Sequence, residues 1–492
     1  MPAPRVSRLK DDEMYERVLA GDAASNGRFF FGVTTTGIYC LPSCRARKPL
    51  RKNTRFFPSV EAARATGLRP CRKCRPDDFA RGADPVLESI EALVAEMRAN
   101  PAGFPDVRSV ARRSGFGPTR LFELFRLHYH ATPAEVLLRA RLEAAKKILR
   151  RDSGALGGIA AAVGFESLSA FHDHFRRHTG LTPHVYATLK NSFALALPPG
   201  YPLDSLRRAL GRDPQSLSER LTESPDGPVY EAGVNLSSGP ARLVLHLSPE
   251  AIRVEVTPAA AKDLYEAHAL VCGMAGLDQD AAAFARLAKT LGFERLVAGR
   301  TELRIVQTST VFDGLLWAII GQQINMPFAF LLRRRLTEIA GTPLKGKGDR
   351  LYAPPTPEAV AALSPEDLLP HQFSRQKASY VIATARLVAD GHLDLEGLRL
   401  ASATRAERTL LAVHGLGPWS VNYLMMRSLG FSDCVPYGDT GVTKGLQMLM
   451  HLEERPDVSA TRRLMAAFAP WRSLATAHLW QLSMPSNSVE TP

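Results

Sequence analysis

The sequence has no apolar run approaching the roughly 18 residues that a membrane-spanning helix requires. Its opening, MPAPRVSRLKDDEMYERVL, lacks the uncharged apolar segment of a signal peptide. Neither membrane insertion nor secretion is expected, and the expected address is the cytoplasm. No Gly-rich nucleotide loop or Walker motif is present. The 13 histidines form no ligand-spaced cluster. His128 and His130, with His172, His174 and His178, fall in helical segments and are expected on helix surfaces or facing DNA. Cysteine is scarce, with 6 in 492 residues, and two of these, Cys272 and Cys434, stand alone as expected buried thiols. Acidic residues are too few to balance the basic ones, and the net charge is +13.

That excess is unevenly placed. Residues 1–192 carry 32 Lys+Arg against 19 Asp+Glu, and the remainder holds 30 of each. Clustered cations of this kind release counterions from a polyanion, so the first part of the chain is expected to hold nucleic acid. With 45% hydrophobic and 23% charged residues the chain has a globular composition. At this length three or four domains are the default.

The other four cysteines form two close pairs, Cys40 with Cys44 and Cys71 with Cys74. Without a secretion signal, such pairs point to a metal before disulfides, and four thiolates at this spacing suit tetrahedral Zn²⁺. Four thiolates on one Zn²⁺ leave a net charge near −2, so the sulfurs are electron-rich nucleophiles as well as ligands. Arg45, Arg47, Lys48, Arg51, Lys52, Arg72, Lys73 and Arg75 surround them and would offset that charge while holding a phosphate chain. The apolar pieces FFFGV and TRFFPSVEAA are too small for an independent core, so the metal is expected to stabilise residues 1–80.

From Val86 to about Leu189 the periodicity is helical and internally repeated. Gly115-Phe116 recurs as Gly164-Phe165, Phe125-Arg126 as Phe175-Arg176, and Thr132-Pro133 as Thr182-Pro183. Each copy reads as a helix-turn-helix, and the long helix from Pro133 to Arg151 would set their spacing for successive major grooves. Val229–Leu236, Arg242–Leu247 and Ile252–Val256 alternate apolar with polar residues and predict an antiparallel sheet. Helices dominate after Pro258. Arg333-Arg334-Arg335 is expected as a solvated face.

Residues 410–440 read LLAVHGLGPWSVNYLMMRSLGFSDCVPYGDT. A Leu- and Ala-rich helix is expected to end at His414, Gly415-Leu416-Gly417 to make a tight hairpin, and Pro418 to open a second helix. Gly415 and Gly417 let backbone N–H groups approach a DNA phosphate, and nearby carbonyls can hold a monovalent cation. The Pro436-Tyr437-Gly438 turn would return the carboxylate of Asp439 toward the hairpin.

Two resemblances are carried by these residues. FFFGVTTTGIYCLPSCRARKP followed by RPCRKCRPD resembles the N-terminal domain of Ada-type adaptive-response regulators, and the duplicated helices resemble the AraC-type DNA-binding domain that accompanies it. The resemblance implies that Cys40 accepts a methyl group from DNA methylphosphotriesters, stoichiometrically, while Cys40, Cys44, Cys71 and Cys74 hold Zn²⁺. Loss of a thiolate charge on methylation should raise DNA affinity and turn damage into a transcriptional signal. The hairpin segment, with the β-rich stretch before it, resembles helix-hairpin-helix DNA glycosylases and most of all 3-methyladenine DNA glycosylase II. That resemblance makes Asp439 catalytic, stabilising an oxocarbenium-like sugar. Trp419 and Tyr423 would stack on a flipped cationic base. In IIGQQINMPFAF it places Gln322-Gln323 where the family fills the gap left by that base, with Gln323 as the wedge. Trp419 stands where strand-cutting members carry a Schiff-base lysine, four C-terminal cluster cysteines are missing, and so is the Pro-Cys-His-Arg methylguanine acceptor.

The expectation is a multidomain chain, mainly α with α+β parts. It comprises a small zinc-binding methyl-acceptor domain at 1–80, an all-α double helix-turn-helix at 85–190, an α+β glycosylase N-terminal domain at 193–300 and an all-α helix-hairpin-helix domain at 301–485. Its expected activities are methyl uptake on Cys40 and hydrolytic release of N-alkylated purines without strand cleavage, with double-stranded DNA and RNA polymerase as partners and a monomeric state. The alternatives are a regulator whose glycosylase-like half is inactive, and a glycosylase whose N-terminal half only adds DNA affinity.

Overall fold

Strand geometry sends successive side chains to opposite faces, and the aromatic run at residues 29–31 exploits this. Phe30 packs with Tyr39, Leu41, Phe57, Val60 and Ala63, whereas Phe29 and Phe31 pack on the other side with Val18, Cys40, Cys44 and Cys71. In the computed structural model of the chain, residues 9–484 are described apart from 23–24, 45, 81, 83, 152–153 and 345–349. The fold divides into two compact units, Met1–Ala95 and Glu96–Pro492.

The first unit is built on four strands: β1 (Phe30–Val33), β2 (Ile38–Cys40), β3 (Thr54–Phe57) and β4 (Arg69–Pro70), in the order β3-β1-β2-β4. Pairing is antiparallel except between β2 and β4, which run parallel. Two small apolar clusters flank the sheet, and one of them contains cysteine sulfurs in place of aliphatic side chains.

The second unit starts with the repeated helices. Val107–Ser114 and Pro118–Tyr129 form the first helix pair, Leu156–Ala162 and Leu168–Thr179 the second, and Pro133–Leu149 joins them. Local chemistry sets the ends. Asp106, Thr132, Ser167 and Thr182 each cap a helix by accepting a backbone N–H. Gly115 and Gly164 take the turn between partners with φ of 70° and 92°.

A five-stranded antiparallel sheet follows: β5 (Ser192–Ala196), β6 (Glu219–Ser224), β7 (Gly227–Leu236), β8 (Gly239–Leu247) and β9 (Ala251–Thr257), ordered β5-β9-β8-β7-β6. The alternation expected from the sequence is present: Ala241, Leu243, Leu245 and Leu247 of β8, and Ile252, Val254 and Val256 of β9, are all buried. They are buried in one core with Phe171, Phe175 and Tyr186 of the second helical repeat. The Gly180 carbonyl accepts the Ala196 N–H at 2.9 Å, and the Thr179 carbonyl pairs with His268 Nε2 at 2.8 Å.

A separate core organises the remaining helices, among them Val311–Ile320, Arg375–Ala389, Ala403–Leu411, Pro418–Arg427, Thr440–Met450 and Arg472–Ser483. The first helical repeat docks on this body through groups expected to face DNA. His128 is buried with Nδ1 2.9 Å from Thr404 Oγ1, and the His130 carbonyl accepts Ser432 Oγ–H at 2.9 Å while its ring meets Phe431 edge-on. The surface expectation for these two histidines is corrected: Thr404, Phe431, Ser432 and Asp433 of the neighbouring helical body cover them, and burial pushes His130 down to about 4. His172, His174 and His178 are partly covered. The arginine run is likewise no solvated face. Arg333 pairs with Glu219 at 2.7 Å and Asp313 at 3.3 Å, Arg334 pairs with the buried Asp213 at 2.6 Å, and Arg335 donates to the His371 carbonyl. The run ties these helices to the β-sheet region. Cys434 is buried as expected, whereas Cys272 is only partly so.

The shared core predicts cooperative unfolding. Phe175→Ala, a fully buried truncation, should cost about 3–5 kcal/mol and lower amide protection in β8 and β9 together with the helices. Unchanged protection in the strands would show that the two regions unfold independently.

Candidate functional site

In the first unit the backbone brings four sulfurs together. Cys40 ends β2, and the parallel strand β4 delivers Cys71 beside it, with the Cys71 N–H donating to the Tyr39 carbonyl at 3.0 Å. Short turns bring in the second member of each pair: Cys44 N–H bonds the Leu41 carbonyl, and Arg75 N–H bonds the Cys71 carbonyl with Arg75 at φ 43°. All four sulfurs lie within 4.8 Å of one another, and Cys44 and Cys71 are 4.0 Å apart. A tetrahedron with Zn–S near 2.3 Å has edges of roughly 3.8 Å, so the donor set fits Zn²⁺. The titration pattern agrees. Cys40 is held well above the usual thiol range by Cys44, then by Cys74 and by burial, while Cys40 and then Cys74 hold Cys44 down against its burial. Packed this closely, the sulfurs cannot all be thiolates unless a cation shares their charge.

Around this centre Arg47, Lys52, Arg72 and Lys73 are exposed. Arg51 turns to Asp11 and Asp12, Arg75 to Asp78, and Lys48 Nζ donates to the Cys44 carbonyl at 2.8 Å. Arg45 lies outside the described residues. Beside Cys40, the fully buried Tyr39 donates its hydroxyl to Asp77, which also pairs with Arg64.

In the second unit Asp439 caps the Thr440–Met450 helix, its Oδ1 accepting the Val442 N–H at 3.0 Å. Two indoles complete its shell: Trp480 Nε1 donates to Oδ1 at 2.8 Å and Trp419 Nε1 to Oδ2 at 3.1 Å. Three N–H donors on two oxygens suit a group that acts as an acceptor. Trp419 and Tyr423, one helical turn apart, stack on each other at 5.3 Å and 14°, and Trp480 approaches Tyr423 at 6.2 Å. The aromatics therefore form one continuous wall beside the carboxylate. Sequence reasoning missed Trp480, because it lies on the last helix with no local motif.

The hairpin follows a helix that ends at Leu411, three residues before the expected His414. Gly415 has φ 92°, Gly417 caps the Pro418–Arg427 helix, and the buried Leu416 anchors the loop. Nothing stands within 4 Å of a Cβ built on Gly417, so that face is open to a close approach. Across from it Gln322 donates Nε2 to the Gly415 carbonyl at 2.9 Å and to Ser420 Oγ at 3.1 Å. The neighbouring Gln323 is exposed in a left-handed conformation with φ 57°. The structure thus places Asp439, Trp419, Tyr423, Gly415, Gly417 and Gln323 in one unit, and Cys40, Cys44, Cys71 and Cys74 in the other.

A metal-centred domain, a duplicated helix-turn-helix and a hairpin-bearing helical body together define a DNA-binding protein of the base-excision class. Comparison with known proteins agrees region by region. Residues 13–77 match the metal binding domain of Ada, residues 110–188 a helix-turn-helix domain, and residues 316–470 the HhH-GPD superfamily of base excision DNA repair proteins. A probable bifunctional transcriptional activator/DNA repair enzyme AlkA of Mycobacterium tuberculosis is 28% identical over 95% of this chain and 96% of its own. In Bacillus subtilis, the bifunctional transcriptional activator/DNA repair enzyme AdaA is 32% identical over 35% of this chain and 80% of its own, and a DNA-3-methyladenine glycosylase is 31% identical over 42% of this chain and 68% of its own. The chain belongs to the Ada/AlkA family of bifunctional transcriptional activators and DNA repair enzymes.

The metal dependence of the first unit is testable. A chelator, or Cys71→Ser, should abolish the structure of residues 9–80 and leave the thermal transition of residues 96–484 in place, as followed by hydrogen exchange. Retained protection in β1 and β2 without metal would show that the apolar clusters suffice.

Proposed function

We propose that this protein answers DNA alkylation twice: it takes up methyl groups from backbone methylphosphotriesters on Cys40 and excises N-alkylated purines such as 3-methyladenine at Asp439. The observation that carries the excision reading is the carboxylate of Asp439, fixed by two indole N–H groups within an aromatic wall and joined to a backbone-approachable hairpin. The four-sulfur cluster amid exposed cations supports the uptake reading.

In excision, Gly415 and Gly417 receive the phosphate backbone through their N–H groups, and carbonyls at the hairpin offer a place for a monovalent cation. Gln323 fills the stack as the damaged nucleotide turns out. Trp419 and Tyr423 present a π-face to the cationic base, which N-alkylation has already made a good leaving group. Asp439 then stabilises the positive charge developing on the sugar and orients the attacking water, so that the glycosidic bond breaks and the base leaves with its electron pair. With Trp419 in place of a Schiff-base lysine, the strand is not cut.

In methyl uptake, Cys40, Cys44, Cys71 and Cys74 would hold Zn²⁺, which when bound would keep the thiolates ionised near neutral pH. Arg45 and Arg47 hold the backbone. The Cys40 sulfur forms a bond to the methyl carbon, the C–O bond breaks, and the phosphodiester departs as its anion, leaving a thioether. The residue is not regenerated. One negative charge disappears from the protein face, which favours promoter binding and recruitment of RNA polymerase.

We assign the methyl acceptor to residues 1–80, the promoter reader to 85–190 and the glycosylase to 193–300 and 301–485, acting as a cytoplasmic monomer on double-stranded DNA.

Purified protein incubated with methylated DNA reads out both activities. Cys40→Ala should abolish methyl uptake by intact mass and leave base release unchanged. Asp439→Asn should lower base release by about 10³-fold and leave uptake intact; normal release by this variant would remove the assignment. Trp480→Phe, which deletes one donor to the carboxylate, should lower release about tenfold with little change in DNA affinity.

A further inference from the structure

A wedge works only if it is presented in register with the grip on the backbone, so the connection between the two matters. The last carbonyls of a helix lack partners within it, and that of Ile320, which ends the Val311–Ile320 helix, finds one on a different element, as does that of Gln322 in the turn beyond. Lys377, in the first turn of the Arg375–Ala389 helix, donates Nζ to the Ile320 carbonyl and, at 2.9 Å, to the Gln322 carbonyl. The residue after these carbonyls is Gln323. A glutamine holds a left-handed φ of 57° only where its surroundings impose it. Lys377 fixes the chain on one side, and Asn325, which caps the next helix by accepting the Phe328 N–H at 3.0 Å, fixes it on the other.

The same helix also reaches the hairpin. Tyr380, three residues beyond Lys377 and so on the same face, lies under Gly415: a Cβ there would stand 2.8 Å from the ring. The ring also meets His414 edge-on at 5.0 Å. Gln322 closes the loop by bonding the Gly415 carbonyl and Ser420 Oγ. Wedge turn, hairpin and the Arg375–Ala389 helix are thus joined pairwise by named contacts. Lys377 spends its charge on backbone carbonyls, and burial holds it below the usual lysine range, a cost that an incidental surface lysine has no reason to bear.

We propose that Lys377 is a positioning residue for base extrusion: with Gln322 it locks the turn presenting Gln323 to the hairpin, so that backbone capture and filling of the vacated stack proceed together. This rests on the roles given above to Gln323 and to the hairpin. Lys377 touches no reacting atom, so its effect depends on how much extrusion work the substrate demands.

The test uses full-length protein under single turnover and a strand whose one adenine has been methylated with dimethyl sulfate. It is annealed either opposite thymine or opposite an abasic analogue that leaves the adenine unpaired. Lys377→Met should slow release from the paired duplex about 20-fold and from the unpaired one less than about threefold, because an unpaired base needs little help to leave the stack. Gln322→Ala should give the same split, and Lys377→Arg, which still donates to two carbonyls, should recover most of the paired rate. Equal loss on both duplexes, or no loss on either, overturns the proposal. Should Lys377→Met fail to fold, by its thermal midpoint, the Gln322→Ala split and the arginine variant decide in the same way. Absence of release by the wild-type protein from both duplexes is a different result: it overturns the excision reading itself.

Discussion

One of the apolar cores of the second unit ignores the boundary between its functional regions. Phe171, Phe175 and Tyr186 come from helices of the DNA-reading repeat, while Leu243, Leu245, Val254 and Val256 come from the sheet that precedes the catalytic helices. Burial of this kind is the main favourable contribution to folding. The first repeat is attached differently, through His128, His130 and their polar partners on the catalytic body. Regulator and enzyme are therefore held at both ends of the repeat, by apolar burial at one and hydrogen bonds at the other.

In the proposed reactions the two candidate sites would meet electrophilic carbon by opposite means. At the four-cysteine centre the nucleophile would be a thiolate among sulfurs crowded within 4.8 Å, which a shared cation would keep ionised. At Asp439 the helix N-terminus and two indoles hold the oxygens, and the proposed contribution is a fixed charge in a fixed place, with no bond made to the carboxylate. The first would work once, since its product would be a covalent thioether. The second would turn over.

Much of this was legible in the residues. The cysteine spacing announced the metal centre, the offset between Gly115-Phe116 and Gly164-Phe165 announced the duplicated helices, and period-2 alternation announced β7 to β9. These signals are local, set by backbone geometry over a few residues. What stayed hidden was long-range. Trp480 reaches Asp439 across 41 positions. Arg333 and Arg334 look like a solvated run until Glu219, Asp313 and Asp213 arrive from elsewhere. His128 and His130 read as DNA-facing because the sequence gives no hint that a second body covers them. Pattern shows which face of a helix is apolar or polar, and partners decide what that face does.

The joint between the helical repeat and the sheet has one more implication. The last helix of the repeat ends at Ala187 and β5 begins at Ser192, so the junction contains almost no spacer. Modular regulators commonly diversify by trading their promoter-reading half as a cassette, which demands a tether that tolerates a new neighbour. This chain has exchanged that freedom for a common interior. A chimera carrying a foreign reader at residue 190 would have to match the buried faces of β8 and β9, so reader and repair body are constrained to change as one inherited piece.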